Sequence, residues 1–566
     1  MESELILRKM WKKWSVILCL FGCLFLSLPE MLSAHAYIIS SSPTDNEILT
    51  QSPDSVYVIF NEPIEAAFQS LTVIGPSGER VDQNNSSISS DNPAKLSVDL
   101  QSGLPEGVYS LKWKALSGDG HNVSGTIAFQ IGNKQVGEVN QVSKNDGHSL
   151  PSWDLLLVRW LQYSGMALFI GGLIFHLFLL PHTEKIKLRG VLLPRSKVML
   201  LLGFGLTSAG ILLNLPQQAA SDAGVSWSKG WNNELISETL RGTTFGEIWG
   251  YEALLLLVLS GLIFGIIARA KADSTPSIGD MIFTGLAFLC SLGILLCKAF
   301  IGHASVATWK NAAVTANFLH LSAASLWIGG LLSLAFLLPG IGRHGSKDRD
   351  LKPVYWETIG RFSLLASICV VILLATGIYG SLIYVPTPYA LFHTDYGQIL
   401  LAKGFLMLVM LALGLSGFLR GRRKQRSLGS GIWIEFGTGI LVLFLAAILA
   451  NLPTAASSPG PPILTGTAPG GYKVTVNISP NTLGMNHFKL DLQAPDGKPL
   501  QNIEQITLKL TSKEMDMGVT EITFPGDKLY EADELITMAG RWNVSVHVLL
   551  KSLDVIDLNL PLTVGH

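Results

Sequence analysis

Between residues 153 and 451 the chain carries eight long apolar runs, at about 153–180, 197–217, 245–268, 278–300, 312–338, 360–384, 398–419 and 431–451. Each is close to the ~20 residues a helix needs to cross the hydrocarbon core of a bilayer. A continuous apolar segment in lipid must satisfy its backbone internally, so these runs are expected to be helices. Composition agrees: 15% of residues are charged and 48% hydrophobic, against about 25% charged in a soluble domain. That excludes a purely cytosolic globular enzyme, and the apolar fraction excludes intrinsic disorder. The net charge of −1 gives no reason to expect nucleic acid as a partner. Membrane lipid is the expected partner.

The loops predict a direction. One alternating set holds Lys185, Lys187, Arg189, Arg195 and Lys197, then Arg269 and Lys271, then Arg343, Lys347, Arg349 and Lys352, then Arg420, Arg422, Arg423, Lys424 and Arg426. The other set holds Lys229, Arg241 and Lys310. Sixteen basic residues against three put the first set in the cytoplasm and both polar ends of the chain outside the cell membrane. The amino terminus leads to the same topology. Arg8, Lys9, Lys12 and Lys13 precede an uncharged stretch from Trp14 to Leu28, the pattern of a signal peptide over residues 1–34. Cleavage after Ala34 would make His35 the first mature residue; cleavage after Ala36 is the competing position and fits the small-residue pattern better. Leu20-Phe-Gly-Cys23 only faintly resembles a lipoprotein box.

The polar segments read as strands. Ser55–Phe60, Ser70–Ile74, Lys95–Leu100, Val108–Ala115 and Thr126–Ile131 alternate in the first, and Tyr472–Ile478, Phe488–Leu492, Ile506–Leu510, Trp542–Leu550 and Val555–Leu560 in the second. Short strands at this spacing predict a sandwich or barrel. The expected division is a β domain over 35–131, a tether over 132–152, a membrane domain over 153–451, a linker over 452–471 and a β domain over 472–566. Cys19, Cys23, Cys290, Cys297 and Cys369 all lie in apolar runs, so the β domains rest on their own cores without disulfides.

In the first β domain, His35 and Ser117-Gly-Asp-Gly-His121 carry the chemistry. A terminal histidine binds a metal through its amine and its imidazole, closing a six-membered ring. Asp119 and His121 stand two apart on a Gly-rich turn. A nitrogen- and oxygen-rich planar set of this kind suits Cu(II). Spacing alone leaves open that Asp-Gly is only a turn and that the histidines are solvated.

His35-Ala-Tyr-Ile, Ser42-Pro-Thr-Asp45, Phe60-Asn-Glu-Pro-Ile64, Trp113, Ser117–His121, Gly125 and Phe129 together resemble the CopC family of copper-binding β-sandwich proteins. The resemblance implies an Ig/cupredoxin-like sandwich with His35, Asp119 and His121 as Cu(II) ligands, the terminal amine completing a histidine brace. Asn46 and Asn122 depart from the family pattern, and no Met lies between 37 and 150, so the thioether Cu(I) site of some relatives is absent. Gly302-His-Ala304, Asn317-Phe-Leu-His320 and Trp327-Ile-Gly-Gly330 resemble the CopD family over 153–451. Asn481-Thr-Leu-Gly-Met-Asn-His487 and Glu514-Met-Asp-Met517 are similar to the YtkA-like module. This order of domains is similar to that of the YcnJ-like CopC–CopD fusion proteins, a family associated with copper uptake. The fold class implied is an N-terminal β-sandwich, an eight-helix membrane bundle and a C-terminal β-sandwich.

Ionisable groups within spans mark pathways or buried pairs. His303, at the outer end of the fourth run, and His320, roughly 12 Å into the fifth at 1.5 Å per residue, are the candidate transport path; a helix-capping or packing role is open for each. Glu252 and Lys403 read equally well as an ion pair or as transport residues. Cys290, Cys297, Cys369, Met407 and Met410 are soft ligands that favour Cu(I), or ordinary core filler. His487, Met515 and Met517 are a further copper candidate, since Met-x-Met on a strand presents both sulfurs to one face. The leading expectation is capture of Cu(II) outside the cell and inward movement of copper, with an extracellular copper donor protein as an allowed partner. A histidine-brace oxidase, a haem reductase and a copper resistance or sensing protein without transport are the alternatives. Nothing identifies an organic substrate for an oxidase, and His176 and His320 fall at opposite ends of their runs, against a shared haem. The expectation is therefore not an enzyme.

Overall fold

The computed structural model describes residues 36, 38–44, 47–118, 122–132, 152–181, 185–270, 277–305, 309–345, 351–423, 431–482, 484–513, 519–525, 530–536 and 540–565. They fall in two compact units, one drawn from 148–383 and 398–452, the other from 33–147, 384–397 and 453–566.

The first unit is helical. Its helices are α1 (Trp153–Ile174), α2 (Lys185–Ala223), α3 (Asn233–Gly242), α4 (Thr244–Arg269), α5 (Ile278–Ala299), α6 (Lys310–Gly345) and α7 (Leu351–Tyr384). The short α8 (Pro388–His393), which belongs to the second unit, precedes α9 (Asp395–Arg423) and α10 (Gly431–Leu449). All eight apolar runs are helices long and apolar enough to cross a membrane. Polar caps fix where they begin. Thr243 Oγ1 accepts from Gly246 N at 3.0 Å, and Ser277 and Asp280 form a reciprocal capping box, satisfying amides that a helix start leaves open. Leu257, Phe264 and Phe405 are 69%, 76% and 65% exposed. Such an apolar outer face suits lipid, where burial of Leu against Leu gives little drive for helices to associate. Close packing takes over that role. A β-carbon on Gly171 of α1 would collide with the Gly329 carbonyl of α6, and one on Gly329 with the Ala167 carbonyl. The two backbones touch, which only small residues permit.

The second unit contains two β-sandwiches. In the first, β1 (Ile38–Ser42), β3 (Ser55–Phe60), β6 (Lys95–Asp99) and β5 (Ser87–Ile88) form one sheet in the order β1-β3-β6-β5. Its partner is β2-β8-β7-β4, from β2 (Glu47–Leu49), β4 (Ser70–Ile74), β7 (Gly107–Leu116) and β8 (Asn122–Ile131). Val56, Val58, Phe60 and Leu96 meet Leu71, Val73, Tyr109 and Phe129 in a closed core. Each such side chain contributes about 1.5–3 kcal/mol by leaving water. Tyr109 keeps its polar tip satisfied by donating to the Pro105 carbonyl at 2.6 Å. Asp82, also buried, accepts from the Val73 and Asn84 amides at 2.9 Å each and pairs with Arg80 at 2.7 Å. Burial pushes the Asp82 carboxyl up, but the Arg80 guanidinium and the two amides together hold it below the usual carboxylate range.

The other sandwich joins the sheet β14-β11-β10-β9 to β13-β12-β15-β16. Its strands are β9 (Ile463–Thr467), β10 (Lys473–Ser479), β11 (Gly484–Gln493), β12 (Ile503–Ser512), β13 (Thr520–Pro525), β14 (Glu531–Ile536), β15 (Gly540–Leu550) and β16 (Val555–Val564). Here the structure adds three strands to the sequence reading, β9, β13 and β14. The stretch 452–471, expected as a linker, holds β9, which pairs with β10 from Thr467 opposite Lys473. Its Ala/Ser/Pro/Gly-rich flanks hide a short strand interrupted by Gly466. The acidic β14, a poor strand by composition, is held by its pairing with β11, which overrides intrinsic preference.

Candidate functional site

In the first sandwich the hairpin β7–β8 has Leu116 opposite Asn122, and Ser117 and Gly118 follow β7. The end of β7 is tied down. Ser117, fully buried, bridges Ile64, its hydroxyl donates to Glu62, and the Glu65 amide donates to the Leu116 carbonyl at 2.9 Å. The same segment receives β1, because Ile38 lies opposite Phe60. Phe60 in turn meets Trp113 edge-on, with ring centroids 5.5 Å apart. Trp113 lies opposite Gly125 and occupies the space a β-carbon there would need. The chain just after His35 and the chain just before Asp119 therefore converge on residues 60–65. His35, Asp119 and His121 themselves lie outside the described residues.

In the helical unit, His303 sits in a short turn, His303–Ser305, after α5, with Nε2 3.3 Å from the Leu452 carbonyl. His320, half-buried on α6, places Nδ1 2.8 Å from Thr376 Oγ1 on α7. Thr376 donates its own proton to the Ile372 carbonyl at 2.7 Å, so its oxygen is left to accept from His320. In the neutral ring this assigns the proton to Nδ1 and the lone pair to Nε2, the atom that can bind a metal. His303 and His320 hold separate partners. An ion pair between Glu252 and Lys403, one of the two readings open for them, is not found. Glu252 instead accepts from Gln162 at 3.5 Å and interacts with Lys298, while Lys403 acts on His320.

The soft side chains are packed. Cys369 and Met410 lie in one buried cluster with Trp327 and Leu373, with Met407 against it. Cys290 packs with Leu259 and Ile294 and donates its thiol to the Leu255 carbonyl at 3.1 Å. Among the described residues, no group of three or more His, Cys, Asp or Glu is set to hold a metal ion.

On the second sandwich His487 projects from β11 beside β14. Its Nδ1 lies 2.8 Å from Asp533 and its Nε2 3.8 Å from Glu531. Glu531 also takes a 2.5 Å bond from Lys489, and the Lys489 ammonium holds its carboxyl below the usual range. Asp533 and Glu531 escape sequence reasoning, because only the β11–β14 register brings them to His487. Much of the preceding motif is structural: Asn486 Oδ1 accepts from the Asn481 and Thr482 amides at 2.6 and 3.3 Å. Met515 and Met517 lie outside the described residues.

Comparison with known families assigns most of this chain. Residues 38–132 match the CopC domain, 150–310 the copper resistance protein D-like N-terminal domain, and 356–449 copper resistance protein D. The chain is 33% identical over 553 residues to the copper transport protein CutJ of Bacillus subtilis (strain 168), covering 96% of this chain and 98% of that one. It is 26% identical over 242 residues to the inner membrane protein YebZ of Escherichia coli (strain K12), covering 40% and 75%. The crystal structure of CopC from Methylosinus trichosporium OB3b aligns with 17% of this chain and 93% of its own, at 29% identity and a TM-score of 0.16. The eight apolar helices and the CopD match fit a multi-pass membrane protein.

Proposed function

This chain belongs to the family of copper transport proteins that join CopC and CopD domains, and from that we propose that it captures Cu(II) outside the cell and conducts copper inward through the helical unit. The observation that carries the capture step is the convergence of β1 and the β7–β8 hairpin on residues 60–65. It draws together the chain positions next to His35, Asp119 and His121. With the His35 amine free, these three residues supply a nitrogen-rich planar set for Cu(II). Binding requires deprotonated ligands, so capture weakens as pH falls through the imidazole range near ~6.5. The sixteen basic residues of the alternate loops support placing both sandwiches outside.

His303 and His320 form the path inward. The Nδ1–H to Thr376 bond orients the His320 ring and leaves Nε2 to receive the ion, the positioning that a ligating histidine requires. Cu(II) is the form held at the outer domain, and Cu(I) suits the thioether-bearing helices and the C-terminal domain. His487, with Met515 and Met517, is the secondary binding site of that domain. Cells producing His320→Ala should keep full Cu(II) binding at the first sandwich while accumulating less copper. Normal accumulation by His320→Ala would remove the membrane half of this reading, and the bundle would then only anchor the outer sites.

A further inference from the structure

The half of the helical unit built from α1, α2, α4 and α5 buries an ionic cluster that the histidine path does not use. Glu252 on α4 is 0% exposed, Gln162 on α1 2%, Asn214 on α2 1% and Lys298 on α5 6%. They come from helices that meet at one level. Gly210 of α2 packs directly on Gln162, and the Trp249 indole of α4 donates to the Ile211 carbonyl at 2.8 Å. Glu252 lies one turn beyond Trp249, and Asn214 one turn beyond Gly210. Glu252 Oε2, Gln162 Oε1, both amide atoms of Asn214, Lys298 Nζ and Arg159 Nε have no hydrogen-bond partner among the described residues.

A purely structural role does not account for such a cluster. Each buried group left unbonded costs about 1–3 kcal/mol, and apolar side chains of the same shape would be at least as stable as a buried ion pair. The donor and acceptor chemistry also narrows the ligand. Oxygen acceptors and cationic donors alternate, with no imidazole or paired thiolates, so the set is wrong for copper. The other charged or titratable groups facing it are Arg159 and Tyr163 of α1 and Cys297 of α5, with Asp222 two turns past Asn214 on α2. Lys298 and Arg159 together repel a metal cation, and Glu252 repels an anion. A proton needs no coordination shell: it bonds to a single carboxylate oxygen, here Glu252 Oε2, even beside the two cations.

We propose that Glu252 is a proton-binding site of the helical unit, poised by Lys298, Gln162 and Asn214, and that proton passage through it is coupled to copper movement. A proton from water on one side binds Glu252 Oε2 and leaves to water on the other; no bond to copper forms there and no electron moves. This rests on the copper-entry reading above.

The test uses the full-length protein in liposomes containing a pH-sensitive dye, with copper chloride supplied outside, with and without ascorbate. An inward gradient of one pH unit should raise copper accumulation by the wild-type protein up to about tenfold per coupled proton, and copper entry should acidify the lumen. Glu252→Gln should lose both responses while keeping Cu(II) binding at the first sandwich, and Glu252→Asp should restore part of the coupling. Wild-type copper entry without lumen acidification overturns the inference even if no variant can be produced. So does a Glu252→Gln protein coupled like the wild type, or entry that follows a sodium gradient instead. No copper entry by the wild type would overturn the transport reading itself, and this inference with it.

Discussion

The two sandwiches offer histidine in opposite ways. In the first, the described chain next to the candidate ligands is anchored by Ser117 and Phe60. In the second, His487 stands on a strand, its ring already engaged by Asp533 at 2.8 Å and facing Glu531. A loop can bring together residues far apart in sequence. A strand face offers only what its register dictates, here one imidazole between two carboxylates. On the proposed reading, the first sandwich captures one ion tightly and the second offers a weaker, more exchangeable contact.

The largest test of this contrast is His121→Ala in the full-length protein. Cu(II) affinity should fall by at least about 100-fold, beyond the 10–100-fold that a supporting residue alone commands. Adding one residue before His35 should be equally damaging, because it turns the amine into an amide. A chelator competition titration reads both, and an unchanged affinity would move the capture site elsewhere. His487→Ala should alter that tight binding by less than about threefold, well below what loss of a true ligand costs; a larger loss would reverse the ranking of the two sandwiches.

A smaller effect concerns the buried carboxylate of the first sandwich. Asp82→Ala leaves the Val73 and Asn84 amides without their acceptor, which should cost about 2 kcal/mol locally and appear as faster hydrogen exchange at both. Because the Asp82 carboxyl is held below its unfolded value, its contribution is present above pH ~4 and fades as pH falls through the folded value. The exchange rates of the wild type and of Asp82→Ala should therefore converge in acid. Smallest of all, Lys489→Ala should let the Glu531 carboxyl rise toward its ordinary range, a change visible by NMR titration.

Much of this architecture is legible in the residues. The eight helices follow from apolar length alone, and Ser55–Phe60 and Ser70–Ile74 are strands with the predicted bounds, because one face of each is buried and alternation survives. β9 and β14 were hidden: the first is short and set in linker-like sequence, and the second is acidic and held by its neighbour. Site partners were harder still. Glu252 finds Gln162 and Lys298 because three helices meet there, a fact of packing with no signature in spacing. The types His303 and His320 could be read from the chain; the Thr376 hydroxyl that fixes the ring of His320 could not.

One contact in the helical unit gives these separate sites a mechanical relation. Gly171 and Gly329 meet backbone to backbone. Gln162 lies nine residues before Gly171, and His320 nine residues before Gly329. Each polar group is thus carried on a rigid arm of two and a half turns, about 13 Å long, and both arms share one fulcrum. A methyl group wedged at that fulcrum would splay both arms at once. Gly171→Ala, far from any ligand, should then behave as a transport variant, because it disturbs the spacing between the arm that bears the histidine and the arm that bears the partner of the buried carboxylate.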